Sequence, residues 1–115
     1  MERKYRIIAY RDKRQFEPLQ AWLDSIKDKR SQRRIKLRIE RMQYGNFGDY
    51  KSVGDQVYEL RFFFSDGAGY RLFFGFDGDT IIVLLCGGDK SSQSKDIKKA
   101  KAYLEDYRRY PYEKI

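Results

Sequence analysis

Val57-Tyr58-Glu59-Leu60-Arg61-Phe62-Phe63-Phe64, Gly69-Tyr70-Arg71-Leu72-Phe73-Phe74-Gly75-Phe76 and Thr80-Ile81-Ile82-Val83-Leu84-Leu85-Cys86 follow one another with short breaks, and this run decides the fold. All three segments are rich in aromatic or β-branched residues, which suit an extended and partly buried backbone. The first break is Ser65-Asp66-Gly67-Ala68-Gly69. The second is Asp77-Gly78-Asp79, whose Asp-Gly pair is a strong hairpin signal. Two successive hairpins predict an antiparallel meander with strands over 56–64, 70–76 and 80–86. Residues 81–85 lack polar alternation, so the third strand is expected to be central and buried on both faces.

Working outward, residues 4–10 alternate weakly and predict a further strand. Pro18 suits the first turn of a helix, where its missing N–H costs least, and Leu19, Trp22, Leu23 and Ile26 form the apolar stripe that docks it on the sheet. Ser31 is expected to cap a second helix ending near Tyr44-Gly45, with Ile35, Ile39 and Met42 in line and Leu37 off it. Residues 45–54 read as a turn-rich loop into the meander. After Lys90, Ser91 or Ser92 can cap a C-terminal helix reaching about Arg108, with Ile97, Ala100, Leu104 and Tyr107 facing inward. An irregular tail is expected from about residue 109. The sum is an α+β chain.

A length of 115 residues suits one domain, 1–115, with one modest core. An aromatic fraction of 17% argues against disorder despite 37% charged residues. No apolar run approaches the roughly 20 residues of a membrane span, and Met1-Glu2-Arg3-Lys4 does not open a signal peptide. The expectation is a cytoplasmic protein without membrane contact. Cys86, the single cysteine, is expected in the core; with no histidine the usual zinc spacings are absent, and neither metal nor cofactor is expected.

The net charge of +8 favours polyanions or an acidic protein partner. Between Lys27 and Arg41 there are eight Lys or Arg residues against Asp28 and Glu40. Three readings share this helix: a solvated face, an acidic partner, or phosphate contact through Arg33, Arg34, Arg38 and Arg41.

The polar residues inside the strands carry the chemistry. By alternation Val57, Glu59, Arg61 and Phe63 share one face of the first strand, and hairpin pairing can bring Arg71 beside Glu59 or Arg61. Lys51 enters from the loop and Lys90 leaves the third strand. A structural ion pair of Glu59 with an arginine is the plain reading. The sharper one is a phosphodiester site, in which two arginines hold the nonbridging oxygens and stabilise a pentacoordinate transition state. RNA supplies its own nucleophile, the 2′-hydroxyl, and needs only a base and an acid. Without histidine the candidates are Glu59 or a lysine as base, and Tyr70 or Lys90 as acid.

Trp22-Leu23, Gly45-Asn46-Phe47-Gly48-Asp49, Lys51, Val53-Gly54, Glu59-Leu60-Arg61, Gly69-Tyr70-Arg71, and Gly87-Gly88-Asp89-Lys90-Ser91 with Gln93 and Asp96-Ile97 together resemble the phage-derived, HigB-like addiction module killer branch of the RelE/ParE toxin superfamily. The resemblance runs from about Tyr5 to Tyr103. It implies two N-terminal helices packed on a twisted, mainly antiparallel four-stranded sheet, plus the C-terminal helix. It also implies the toxin of a bacterial type II toxin–antitoxin pair, acting as a ribosome-dependent mRNA endonuclease, with a helix-turn-helix antitoxin, the ribosome and mRNA as partners. Matched by motif, Arg61 and Arg71 become the transition-state ligands, followed by Lys51 and Lys90 and then Glu59 and Tyr70. Two other functions stay open within the resemblance: a ParE-like DNA gyrase inhibitor, and a catalytically inactive antitoxin- or RNA-binding member.

Overall fold

The computed structural model describes residues 2–64 and 67–109. The chain runs β1 (Arg6–Ala9), α1 (Pro18–Ser25), α2 (Lys29–Met42), β2 (Tyr50–Gly54), β3 (Val57–Arg61), β4 (Arg71–Asp77), β5 (Ile81–Gly88) and α3 (Gln93–Arg109), with one 3-10 turn at Lys90–Ser92 before α3. Ser65 and Asp66 of the expected first turn, and the tail expected beyond α3, lie outside the described residues.

The sheet has five strands in the order β1-β5-β4-β3-β2, where four were expected. The meander β3-β4-β5 is antiparallel as predicted, and β5 is an interior strand between β1 and β4. The segment Tyr50–Gly54, read as loop, is an edge strand paired antiparallel to β3. β1 runs parallel to β5, so the sheet is mixed. A parallel neighbour requires a crossover, which α1, α2 and the β2-β3-β4 strands supply.

Helices cover both faces. On one face Leu19, Leu23 and Ile26 of the α1 region, with Ile35 and Met42 of α2, pack on Leu60, Phe62, Leu72, Phe74, Ile82 and Leu84. On the other, Ala100, Leu104 and Tyr107 of α3 pack on Val57, Phe73, Val83, Leu85 and Cys86. Leu85 is the extra residue of a β-bulge, where Phe73 pairs with Cys86 but Phe74 with Leu84. This places Leu85 and Cys86 together under α3.

Local chemistry sets the helix ends. Pro18 occupies the first turn of α1 as expected. The N-cap of α2 is Asp28, not Ser31: its carboxylate accepts from the Arg30 N–H at 3.1 Å, and the buried Ser31 hydroxyl donates to it at 2.9 Å. These bonds hold the Asp28 carboxyl below its ordinary range. The far end of α3 is tied down by two tyrosines. The Tyr10 hydroxyl donates to Asp106 at 2.6 Å and Tyr107 donates to Asp77 at 2.8 Å. Burial first, then these carboxylates, raise both phenols well above their ordinary pKa.

Candidate active site

Register brings the candidate residues together. Glu59 pairs with Phe73 and Arg61 pairs with Arg71, so the two arginines are direct cross-strand neighbours. Both lie on the α3 face, because the alternate residues Leu60 and Leu72 belong to the opposite cluster. Glu59 sits between them with no exposed surface. Its Oε1 is 3.3 Å from Arg71 Nε and its Oε2 is 3.9 Å from Arg61 Nε. These are charge contacts rather than aligned hydrogen bonds, since neither Nε nor Oε2 has a hydrogen-bond partner among the described residues.

The aligned bond to Glu59 comes from elsewhere. Gln93, the first residue of α3, donates from Nε2 to Glu59 Oε1 at 2.5 Å. Gln93 therefore links the C-terminal helix to the arginine pair. Sequence reasoning assigned it no role, and its only signal was its place in the motif that carries the resemblance.

The guanidinium groups are held at their outer ends. Arg71 Nη1 donates to the Gly69 carbonyl at 2.7 Å, and Arg61 Nη2 lies 3.5 Å from Asp49 Oδ1. Side-chain exposure is 15% for Arg71, 30% for Arg61 and zero for Glu59, so the arginines reach solvent and the carboxylate does not. The Glu59 carboxylate meets the two arginines and Gln93 and does not meet solvent. Its geometry is that of a brace between two cations.

Lys90 and Lys51 flank the pair. The stem of Lys90 packs beside Gly69, with Cδ 3.2 Å from where a Cβ would stand, and its N–H points to the Ala68 carbonyl at 3.4 Å. Gly69 has φ +62°, so both its backbone and its missing side chain serve this approach. Lys51 is the cross-strand partner of Glu59 and is exposed. Its neighbour Tyr50 packs on Phe47, Tyr58 and Phe74, which leaves Lys51 on the α3 face. Arg61, Lys51 and Lys90 reach solvent, whereas Glu59 and Asp96 are buried, so the groups that an approaching anion meets include these cations.

Tyr70 is placed apart from this group. Its ring lies 6.2 Å from that of Trp22 and 5.8 Å from Phe64, on the α1 face. There it lines a cleft of about 580 Å³ with Trp22, Lys27, Asp28 and Asp89. The bare backbone of Gly87-Gly88 allows both helices to close on this end of the sheet. A Cβ on Gly87 would stand 2.2 Å from the Trp22 ring, and one on Gly88 1.9 Å from Asp96 Oδ2. Gly88 is also the register partner of Arg71, so β5 puts no side chain opposite that arginine.

The basic residues of α2 divide. Arg33, Arg34 and Arg41 are exposed, and Arg34 lies over the Phe64 ring at 5.4 Å. Arg38 is turned inward: Nη1 donates to the Arg61 carbonyl, Nη2 donates to the Phe47 carbonyl at 2.8 Å, and the guanidinium covers Phe62 at 4.5 Å. It ties α2 to the end of β3 directly behind the arginine pair. Among the described residues no three His, Cys, Asp or Glu side chains cluster as metal ligands, and no helix is long and apolar enough to cross a membrane.

Comparison with known proteins fits this arrangement. The family described as "Phage derived protein Gp49-like (DUF891)" matches residues 21–108, which span α1 to α3 and every residue of the site. A protein of Haemophilus influenzae, described only as uncharacterized, is 46% identical over 86 residues, covering 75% of this chain and 85% of the relative. With most of its length matched, and with the paired arginines inside the match, the chain belongs to the phage-derived Gp49-like family, a toxin-like addiction-module family of the RelE/HigB type.

Proposed function

We propose that this protein is the toxin of a type II toxin–antitoxin pair and that it cleaves mRNA on the ribosome. The observation that carries the reading is the cross-strand pair Arg61–Arg71, braced by the buried Glu59 and flanked by Lys51 and Lys90. Two forked guanidinium groups side by side match the nonbridging oxygens of one phosphate and gain most when it becomes pentacoordinate.

In the step itself the 2′-oxygen bonds to phosphorus as its proton leaves to a base. The bond from phosphorus to the 5′-oxygen breaks, and that oxygen takes a proton from an acid. The products are a 2′,3′-cyclic phosphate and a 5′-hydroxyl, with no net proton change. The enclosed Glu59 is a positioning residue, and Tyr70 stands on the far face. Lys51 and Lys90, which flank the pair, are then the side chains left to carry the two protons. Arg33, Arg34 and Arg41 contact RNA phosphates, while Arg38 positions the loop behind Arg61. A helix-turn-helix antitoxin is the protein partner.

The test is induced expression with mapping of mRNA 5′ ends, alongside cleavage of ribosome-loaded mRNA by purified protein. Arg71→Ala lowers cleavage by about 10²- to 10³-fold, the scale expected for a lost transition-state ligand. Because Arg71 also neutralises Glu59, the measurement is repeated in a Glu59→Gln background, where no buried carboxylate is stranded. Full cleavage by both Arg71 variants removes the proposed site. DNA damage signalling and inhibited supercoiling without new 5′ ends would instead favour the gyrase reading.

A further inference from the structure

We infer that Phe63 is a stacking platform for a nucleobase of the RNA strand next to the phosphate held by Arg61 and Arg71; this rests on the RNA-cleavage reading and adds how the substrate is gripped. Three phenylalanines follow Arg61, and their fates differ. Phe62 is buried beneath the Arg38 guanidinium at 4.5 Å. Phe64 is half-buried, its ring 5.8 Å from Tyr70 and beneath Arg34 at 5.4 Å. Both belong to the α1–α2 face. Phe63 is 74% exposed, the most of any large apolar side chain among the described residues.

Its direction follows from the backbone. The Phe62 N–H donates to the Tyr70 carbonyl at 3.0 Å, which carries the β3–β4 ladder one residue past the end of β3. Alternation therefore continues, and Phe63 projects to the side opposite Phe62 and Phe64, the side of Arg61. Residues two apart on one face of a strand are about 6.5 Å apart, a span comparable to one nucleotide. Among the described residues Phe63 has no ring or cation–π partner.

A single exposed phenylalanine is unremarkable on most surfaces. Here it stands on the side of Arg61, which is the cross-strand neighbour of Arg71. An aromatic ring next to arginines and lysines is the combination by which proteins hold single-stranded nucleic acid: the cations take the backbone and the ring takes a base, whatever its identity. A purely apolar partner would not use those cations. Stacking beside Arg61 would also fix the nucleotide's sugar, and with it the angle of 2′-oxygen attack.

The experiment is the ribosome-loaded mRNA cleavage assay with Phe63→Ala, Phe63→Leu and Phe63→Trp, run beside Arg71→Ala, with urea unfolding of each. Phe63→Ala is expected to lower kcat/KM by roughly 10- to 100-fold, the range for loss of one stacked base, with unfolding unchanged because the ring is exposed. Phe63→Trp keeps cleavage near wild type. Phe63→Leu falls with the alanine variant, since it keeps apolar bulk without a π face. Wild-type cleavage by Phe63→Ala, while Arg71→Ala is inactive, overturns the platform and leaves the active face standing. Rescue by leucine overturns stacking in favour of a general apolar contact. Intact cleavage with lost antitoxin binding makes Phe63 a protein-docking residue and also overturns it. No cleavage by the wild-type protein overturns both this inference and the reading beneath it.

Discussion

The two faces of the sheet are built from the same strands and behave as different materials. Toward α1 and α2, Phe74 stacks on Phe47 at 5.7 Å with their planes 7° apart, and on Tyr58 at 5.7 Å, while Phe76 and Tyr50 close the group. Toward α3, one residue along each strand, the same backbone carries Glu59, Arg61 and Arg71. Alternation lets one strand pair serve stability on one side and charge on the other. The difference is instructive because Glu59 is as buried as Phe74. A buried ion pair is often replaceable by apolar residues without loss of stability. Glu59 is therefore better explained by the arginine positions it fixes than by any stability it adds.

The largest effect that tests this division is on the aromatic face. Phe74→Ala should lower the unfolding free energy by about 3–5 kcal/mol, as truncation of a fully buried aromatic does. Cleavage per folded molecule should stay near wild type, measured at a temperature where the variant remains native. A matching loss of activity in the folded fraction would mean that the faces are mechanically coupled.

Glu59 gives the next effect. Glu59→Ala strands two guanidinium groups and should cost about 3 kcal/mol, the low end for a broken buried pair because both arginines have a path to water. Glu59→Gln keeps the shape and should cost less, yet lower kcat by roughly 10- to 100-fold through misplaced arginines. KM should change little, which separates a positioning role from lost binding. A coupling energy between Glu59→Gln and Arg71→Ala in urea unfolding checks the contact directly. Additive costs would show that the 3.3 Å approach carries no energy.

This contrast also explains what could be read from the sequence. The meander, the inward stripe of α3 and the shared face of Glu59 and Arg61 all follow from local periodicity. β2 has no clear signature in the sequence because its residues are mostly exposed and it has one neighbour. Its hairpin turn uses Asp55 and Gln56 at φ +52° and +64°. Glutamine is an unusual occupant of such a turn, so the Asn-Gly or Asp-Gly signal was missing. The parallel β1–β5 pairing is a property of the crossover and has no local signature. Ser31 and Asp28 both suit a helix start, and only the bonds to Arg30 and Ser31 choose between them. In the site, alternation separates Tyr70 from Arg71. Gln93 lies 34 residues from Glu59, and nothing near it in sequence announces the bond.

The smallest effect concerns how firmly α3 closes the charged face. Cys86 is buried beneath α3, with its thiol 3.8 Å from the Asp96 carbonyl. Burial first, then the Asp96 carboxylate, pushes its pKa up from 9.0 to about 12. The reactive species is the thiolate, so a disulfide reagent at pH 8 should find the folded protein nearly silent and the unfolded chain reactive. The sign for stability follows. A raised folded pKa favours the neutral thiol, so this contribution is complete below pH 9 and declines as pH rises toward 12. Gln93→Ala removes the bond from α3 to Glu59 and should accelerate labelling at pH 8 by a small factor, through more frequent lifting of the N-terminal turn of α3. Equal labelling of the two proteins would mean that apolar packing through Ala100 and Leu104 alone holds the helix down. The Gln93 bond would then matter only for where Glu59 and its two arginines stand.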